Sequence, residues 1–259
     1  MLKKIFEPLQ IVKRQTMLVL IFVEVAIALF AWHILGSSLI PSPLKVFETI
    51  IHILGTQNFY ENFFSSMSLT LQGMGISLII AVTISYLSLI PFFNPIAKFV
   101  IKARYLTVSG LVFLFILLTK DGHQLKLDLL IFGIVPFFVT SFMSIINEIN
   151  VQEYELCKTL RMNNWQTLWE VVIVGRIDQV IEVMRQNFAI AWLMITLVEG
   201  LSMSEGGLGT MVIKSSKYLD LATVFAVMAI IFITGVLFDI LLGQIRYWLF
   251  PYTKLHLRK

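Results

Sequence analysis

Charge is scarce in this sequence, so every ionisable residue within its apolar stretches is a candidate for chemistry. Only 14% of the 259 residues are Asp, Glu, Lys or Arg, against 58% hydrophobic, where soluble domains carry about 25% charged residues. The longest polar run is NEINVQEYELCKTLRMNNWQTLWEVVIVGRIDQVIEVMRQN, residues 147–187, with Glu153, Glu155, Lys158 and Arg161 close together near its start. Two acids, Glu24 and Asp239, fall instead inside long apolar runs. An ionised group at the centre of a membrane helix costs about 2.5–3.5 kcal/mol, so both are candidates for proton carriage or for buried interhelical hydrogen bonds.

Other chemistries find no support. His33, His52, His123 and His256 are never spaced as metal ligands, and one cysteine, Cys157, excludes an internal disulfide; no metal site is expected. GMGIS, residues 73–77, matches no nucleotide fingerprint, and Gly73, Gly75, Ser77, Ala81 and Ser85 suit close helix packing. The sequence contains no Gly-rich loop ending in Gly-Lys-Ser/Thr, so it cannot hydrolyse a nucleotide in that manner by itself. Any work it performs draws on another chain or on an ion gradient. The formal net charge of +4 is better judged by membrane side than as a nucleic-acid footprint.

The elements that must position these residues are membrane helices. Mean hydropathy is +0.85, and a helical span needs about 20 mainly apolar residues. Six candidates emerge, at 17–36, 67–90, 99–119, 127–146, 182–201 and 221–249, which predicts an all-α integral membrane protein formed as one domain over 1–259. The first run is longer than the core of a secretory signal and lacks a small-residue cleavage pattern, so it reads as an uncleaved span. With both ends cytoplasmic, only Lys45, Lys120, Lys126, Lys214 and Lys217 of the 20 basic residues fall outside, the expected inward bias. Lys3, Lys4, Lys13, Arg14, Lys254, Arg258 and Lys259 contribute to it. Residues 147–181 then form a cytoplasmic loop, and 37–66 an external one opened by Pro41 and Pro43.

Within the cytoplasmic loop, 152–160 form a short helix that sets Tyr154, Cys157 and Leu160 on one face. Asn163 and Asn164 can make a left-handed turn, and the helical period restarts with Trp165, Leu168, Trp169 and Val172. So short a helix is marginal alone in water and needs a partner surface.

Here a family resemblance enters. The runs EYELCKTLRMNNWQTLWEVVI, AIAWLMITLVEGLSMSEGGLG and DLATVFAVMAIIFITGVLFDILL resemble the permease subunits of ABC importers, type I in fold and closest to the nitrate/sulfonate/taurine branch. The likeness covers about residues 37–250. It implies that 147–181 is the family's EAA loop, whose short helix docks into a groove of a separate ATPase. Glu155 takes the Glu position, Leu156 and Cys157 the two alanines, Arg161 the glycine, and Ile173 with Val174 the Leu-Pro pair. Arg161, Cys157 and Val174 depart from the pattern, and the proline-rich entrance to the third span is missing between residues 100 and 119.

By that resemblance Glu153, Tyr154, Glu155, Leu156, Cys157, Leu160 and Arg161 are coupling residues, and Glu199, Gly207, Gly209 and Asp239 are translocation or gating candidates. It further implies no cofactor in this chain, ATP and Mg in the partner ATPase, and a second permease copy or a relative. A periplasmic or lipid-anchored substrate-binding protein, no nucleic acid and a bacterial inner membrane complete the expectation.

Each site has a plainer reading: Glu155 on a solvated helix face, Cys157 as a small apolar residue at the docking surface, Trp165 and Trp169 as packing anchors, EGGLG at 205–209 as a flexible external turn. An ion-driven secondary transporter using Glu24 and Asp239 stays open as an alternative, though no inverted repeat is visible, as does a degenerate partner permease that does not couple. A membrane enzyme would need a paired catalytic constellation, and none is visible.

Overall fold

The computed structural model describes residues 14–35 and 40–251, and every regular element among them is helical. Lys3, Lys4, Lys13, Gly36, Lys254, His256, Arg258 and Lys259 lie outside the described residues. The helices are α1 (Arg14–Leu35), α2 (Pro43–Leu54), α3 (Gln57–Leu87), α4 (Asn94–Ala103), α5 (Val108–Leu118) and α6 (Gly122–Asn147). After them come α7 (Val151–Thr159), α8 (Asn164–Thr167), α9 (Ile177–Leu201), α10 (Leu208–Lys217) and α11 (Leu221–Leu249). Five stretches are long and apolar enough to cross a bilayer, in α1, α3, α6, the run Asn164–Leu201 and α11, and a sixth is added if α4 and α5 count as one bent span.

The expected external loop is largely helix. Ser42 accepts a hydrogen bond from the Lys45 amide, and Pro43 occupies the first turn of α2, where its missing N–H and fixed φ cost nothing. Buried Val46 and Ile53 hold that helix to the bundle. α3 begins ten residues before the expected start of the second span.

The third span departs most from expectation. Instead of one crossing over 99–119, α4 and α5 meet at an angle of 111°. Lys102 and Arg104 interrupt the apolar run, and the chain leaves helical geometry before Thr107, whose ψ of 124° is extended. At 1.5 Å per residue each piece is about 15 Å long, half of a bilayer core. Val108, at the start of α5, packs against Gly133 near the middle of α6.

The core lies where α3, α6 and α9 pack together. A Cβ on Gly73 would stand 2.6 Å from Leu130 Cδ2, so the glycine sets the approach of α3 to α6. Ser77, Ala81 and Ser85 continue that buried face, whereas Gly75 faces open space. α1 is exposed along nearly its whole described length, Glu24 included, and meets the bundle through Trp32, whose ring lies 5.8 Å from that of Phe225.

Candidate functional site

At one end of α6 the polar run folds into a small helical unit. Asn150 caps α7 by accepting from the Gln152 amide. The helix ends with the Met162 amide donating to the Cys157 carbonyl and the Arg161 amide to the Lys158 carbonyl, the paired bonds of a Schellman stop. That stop requires a left-handed residue, and Arg161 supplies it with φ 55°. The turn is therefore made by Arg161 and not by Asn163 or Asn164: Asn163 is extended and caps α8 in a reciprocal pair with Gln166.

The expected coupling residues divide by face. Cys157 is 6% exposed and packs with Ile146, Ile149, Val171 and Val172, so it is a core residue and not part of a docking surface. Glu153 pairs with Arg176, and Tyr154 is half-buried against the same cluster, its phenol pushed up by burial. These three tie α7 to the chain that follows it.

Glu155, Leu156, Leu160 and Arg161 point outward. Leu160 does not share the inward face with Tyr154 and Cys157, because the helix has ended and the chain is already turning. Trp165 and Trp169 are exposed rather than packed, and with Leu160 and Arg161 they edge a concavity of about 550 Å³.

From α8 the chain enters α9 through a π turn, Leu168–Ile173, and one 3-10 turn, Val174–Arg176. A Cβ on Gly175 would stand 3.0 Å from the Glu170 carbonyl oxygen, so the glycine admits the wide turn at the position next to Val174.

At the opposite end of α6, EGGLG is a packed knot and not a flexible turn. The Glu199 carboxylate, fully buried, accepts from Ser66 Oγ at 2.7 Å and from the Gly209 amide at 2.8 Å. Ser66 Oγ accepts from the Leu208 amide, and Asn62 Oδ1 from the Gly207 amide. Lys126, only 1% exposed, donates to the Gly206 carbonyl at 3.0 Å. A Cβ on Gly209 would collide with the Thr196 backbone at 2.3 Å. Glu199, Gly207 and Gly209 thus come together as a strut joining α3, α6, α9 and α10, with Ser66, Asn62 and Lys126 as members the sequence reading missed.

Asp239 belongs to a third group. Arg185 Nη1 lies 2.9 and 3.1 Å from its two oxygens, while Nε and Nη2 of the same guanidinium grip Glu182. Arg246 reaches Glu182 and Asp178. The network stitches α9 to α11, and Asp239 is an exposed end of it rather than a buried carrier. The signal was present in the sequence as opposite charges early in one apolar run and late in another.

The family model described as binding-protein-dependent transport system inner membrane component matches residues 53–251, from the end of α2 through α11. No curated protein matches the chain.

Proposed function

The chain belongs to the family of binding-protein-dependent transport system inner membrane components, a multi-pass membrane-transport permease of ABC type and not an enzyme, and we propose that it forms the solute pathway of an ATP-driven importer whose ATPase docks on the outward face of α7 and α8. One observation carries this reading. Glu155, Leu156, Leu160, Trp165 and Trp169 are exposed on a single small unit, and Glu155 has no hydrogen-bond or ion-pair partner among the described residues. Two tryptophans and an arginine around a concavity are the residue types in which interface hot spots are enriched, and the free carboxylate suits a basic groove.

The departures from the family pattern do not argue for a non-coupling subunit. Arg161 adopts the left-handed geometry for which a glycine is otherwise used, so the docking helix keeps its stop. Val174 lies where the chain passes from a π turn to a 3-10 turn, so the α winding is interrupted there without a proline.

In this reading ATP and Mg bind in the partner ATPase, a second permease copy or a relative completes the pathway, and a substrate-binding protein delivers the solute to the outer face of a bacterial inner membrane. The branch resemblance offers sulfonate, nitrate and taurine as solutes. Shifting a two-state gate from 1:99 to 99:1 needs about 5.5 kcal/mol of differential binding, within reach of nucleotide binding.

The test is crosslinking in membranes from a Leu160→Cys, Cys157→Ala variant to a cysteine in the groove of the candidate ATPase. A specific crosslink that changes with ATP supports the reading. Absence of both crosslink and co-purification overturns it in favour of an ATP-independent carrier.

A further inference from the structure

Between α9 and α11 runs an apolar groove of about 440 Å³ that ends at the Arg185–Asp239 pair. Its size falls within the range of small-molecule sites, about 300–1,000 Å³. The floor is held in place: Trp192 Nε1 donates to the Ile231 carbonyl at 2.8 Å, and its ring stacks on Phe188 at 5.9 Å. Gly235 keeps the wall open beside it, since a Cβ there would approach Trp192 Cδ1 to 3.3 Å.

The charged end is unbalanced. Three carboxylates, Asp178, Glu182 and Asp239, face two guanidiniums, Arg185 and Arg246. Glu182 takes the two-nitrogen grip of Arg185 and also a nitrogen of Arg246, so Asp239 is left with one shared nitrogen. It is also the open member, 53% exposed against 21% for Glu182 and 14% for Asp178. The group carries one carboxylate in excess; Asp178, 3.7 Å from Arg246, is closed off, so Asp239 at the groove mouth is the carboxylate a ligand can reach, with lone pairs to spare. A bare anion is repelled there; a cation with an apolar body satisfies both the carboxylate and the aromatic wall.

We propose that this groove binds an organic ammonium, its apolar body along Phe188, Trp192 and Phe232 and its charged head on Asp239. The head can come from a free amine or from an aminophospholipid of the bilayer. The proposal rests on the permease reading only for its membrane setting.

The test is saturable binding of phenylbutylammonium to the full chain in discs of phosphatidylcholine and phosphatidylglycerol, with phenylbutanol and phenylbutanoate as comparators. The ammonium is expected to bind tighter than the alcohol by about 10-fold or more, the worth of one charge-assisted hydrogen bond. Asp239→Asn should remove that preference, and Ala189→Phe, which fills the groove, should abolish binding. If the first variant fails to fold, the second carries the test.

Adding phosphatidylethanolamine distinguishes the sources: competition assigns the site to lipid, and no competition assigns it to a free amine. Equal binding of ammonium and alcohol, or indifference to both variants, overturns the proposal. So does a lack of saturable binding, and discs then found to hold two copies would identify the second copy as the groove's cover. Binding is read without the ATPase, so a failed titration leaves the docking reading standing.

Discussion

A Cβ placed on Gly207 would stand 2.2 Å from the Glu199 carboxyl carbon, and the glycine holds φ 111°. Space and backbone geometry both demand glycine at this position. Gly207→Ala is expected to lower stability by about 2–4 kcal/mol, as a buried clash combined with a strained backbone. Thermal unfolding of the purified permease in detergent checks it.

Glu199→Gln tests the same knot from its other side. One carboxylate oxygen accepts from Ser66 and the other from the Gly209 amide. An amide can replace only one of them as acceptor and turns its N–H toward a donor at the other. A loss of about 1–3 kcal/mol is expected, smaller than that of the glycine variant in the same melting experiment.

Arg161→Gly is expected to be tolerated or stabilising by about 0.5–1 kcal/mol, because it relieves a side chain held in the left-handed region. Arg161→Val, branched at Cβ, is expected to lower the melting temperature. ATPase co-purification with the glycine variant should be retained. A clear loss of stability in Arg161→Gly would mean that the guanidinium holds the turn.

The proposed docking face and the packed face of the α7–α8 unit can be tested separately. Leu156→Asp and Trp169→Ala, both at exposed positions, should weaken ATPase association by about 2 kcal/mol or more while leaving the permease's own melting temperature unchanged. Cys157→Asp, in the packed cluster, should lower the melting temperature. Pull-down and thermal unfolding on the same preparations read both effects.

Within the α9–α11 network, Glu182 bridges both guanidiniums. Glu182→Gln should cost about 1.5–3 kcal/mol, the loss of charge-assisted hydrogen bonds to two guanidiniums at a half-buried site. Asp239→Asn, at the exposed end, should cost about 1 kcal/mol or less. Reversal of that order in melting experiments would show that Asp239, not Glu182, carries the joint.

The membrane helices and the helix-turn-helix form of the polar run were legible because hydropathy and helical period act locally. The inward face of α7 was harder to read. Leu160 matches the period of Tyr154 and Cys157 but lies beyond the last helical residue, and a Schellman stop with arginine in the left-handed position carries no mark in composition. The knot joins residues 62, 66, 126 and 199–209, which are far apart in sequence, so its glycines read as flexibility when they serve close approach. The break in the third span was not read: Lys102 and Arg104 sit inside a stretch apolar enough to pass as one crossing, and hydropathy carries no sign of the 111° bend that follows them.

The π turn between α8 and α9 has a mechanical consequence. It is equivalent to one residue inserted into an α path, and returning it to α winding would turn α7 about the α9 axis by roughly 100°. Sliding α9 along its length would instead break the Glu199 knot and the Glu182 joint together. If an ATPase docks on this unit as proposed, torque is the kind of work the junction would transmit most readily, and the unit is better compared to a crank than to a piston.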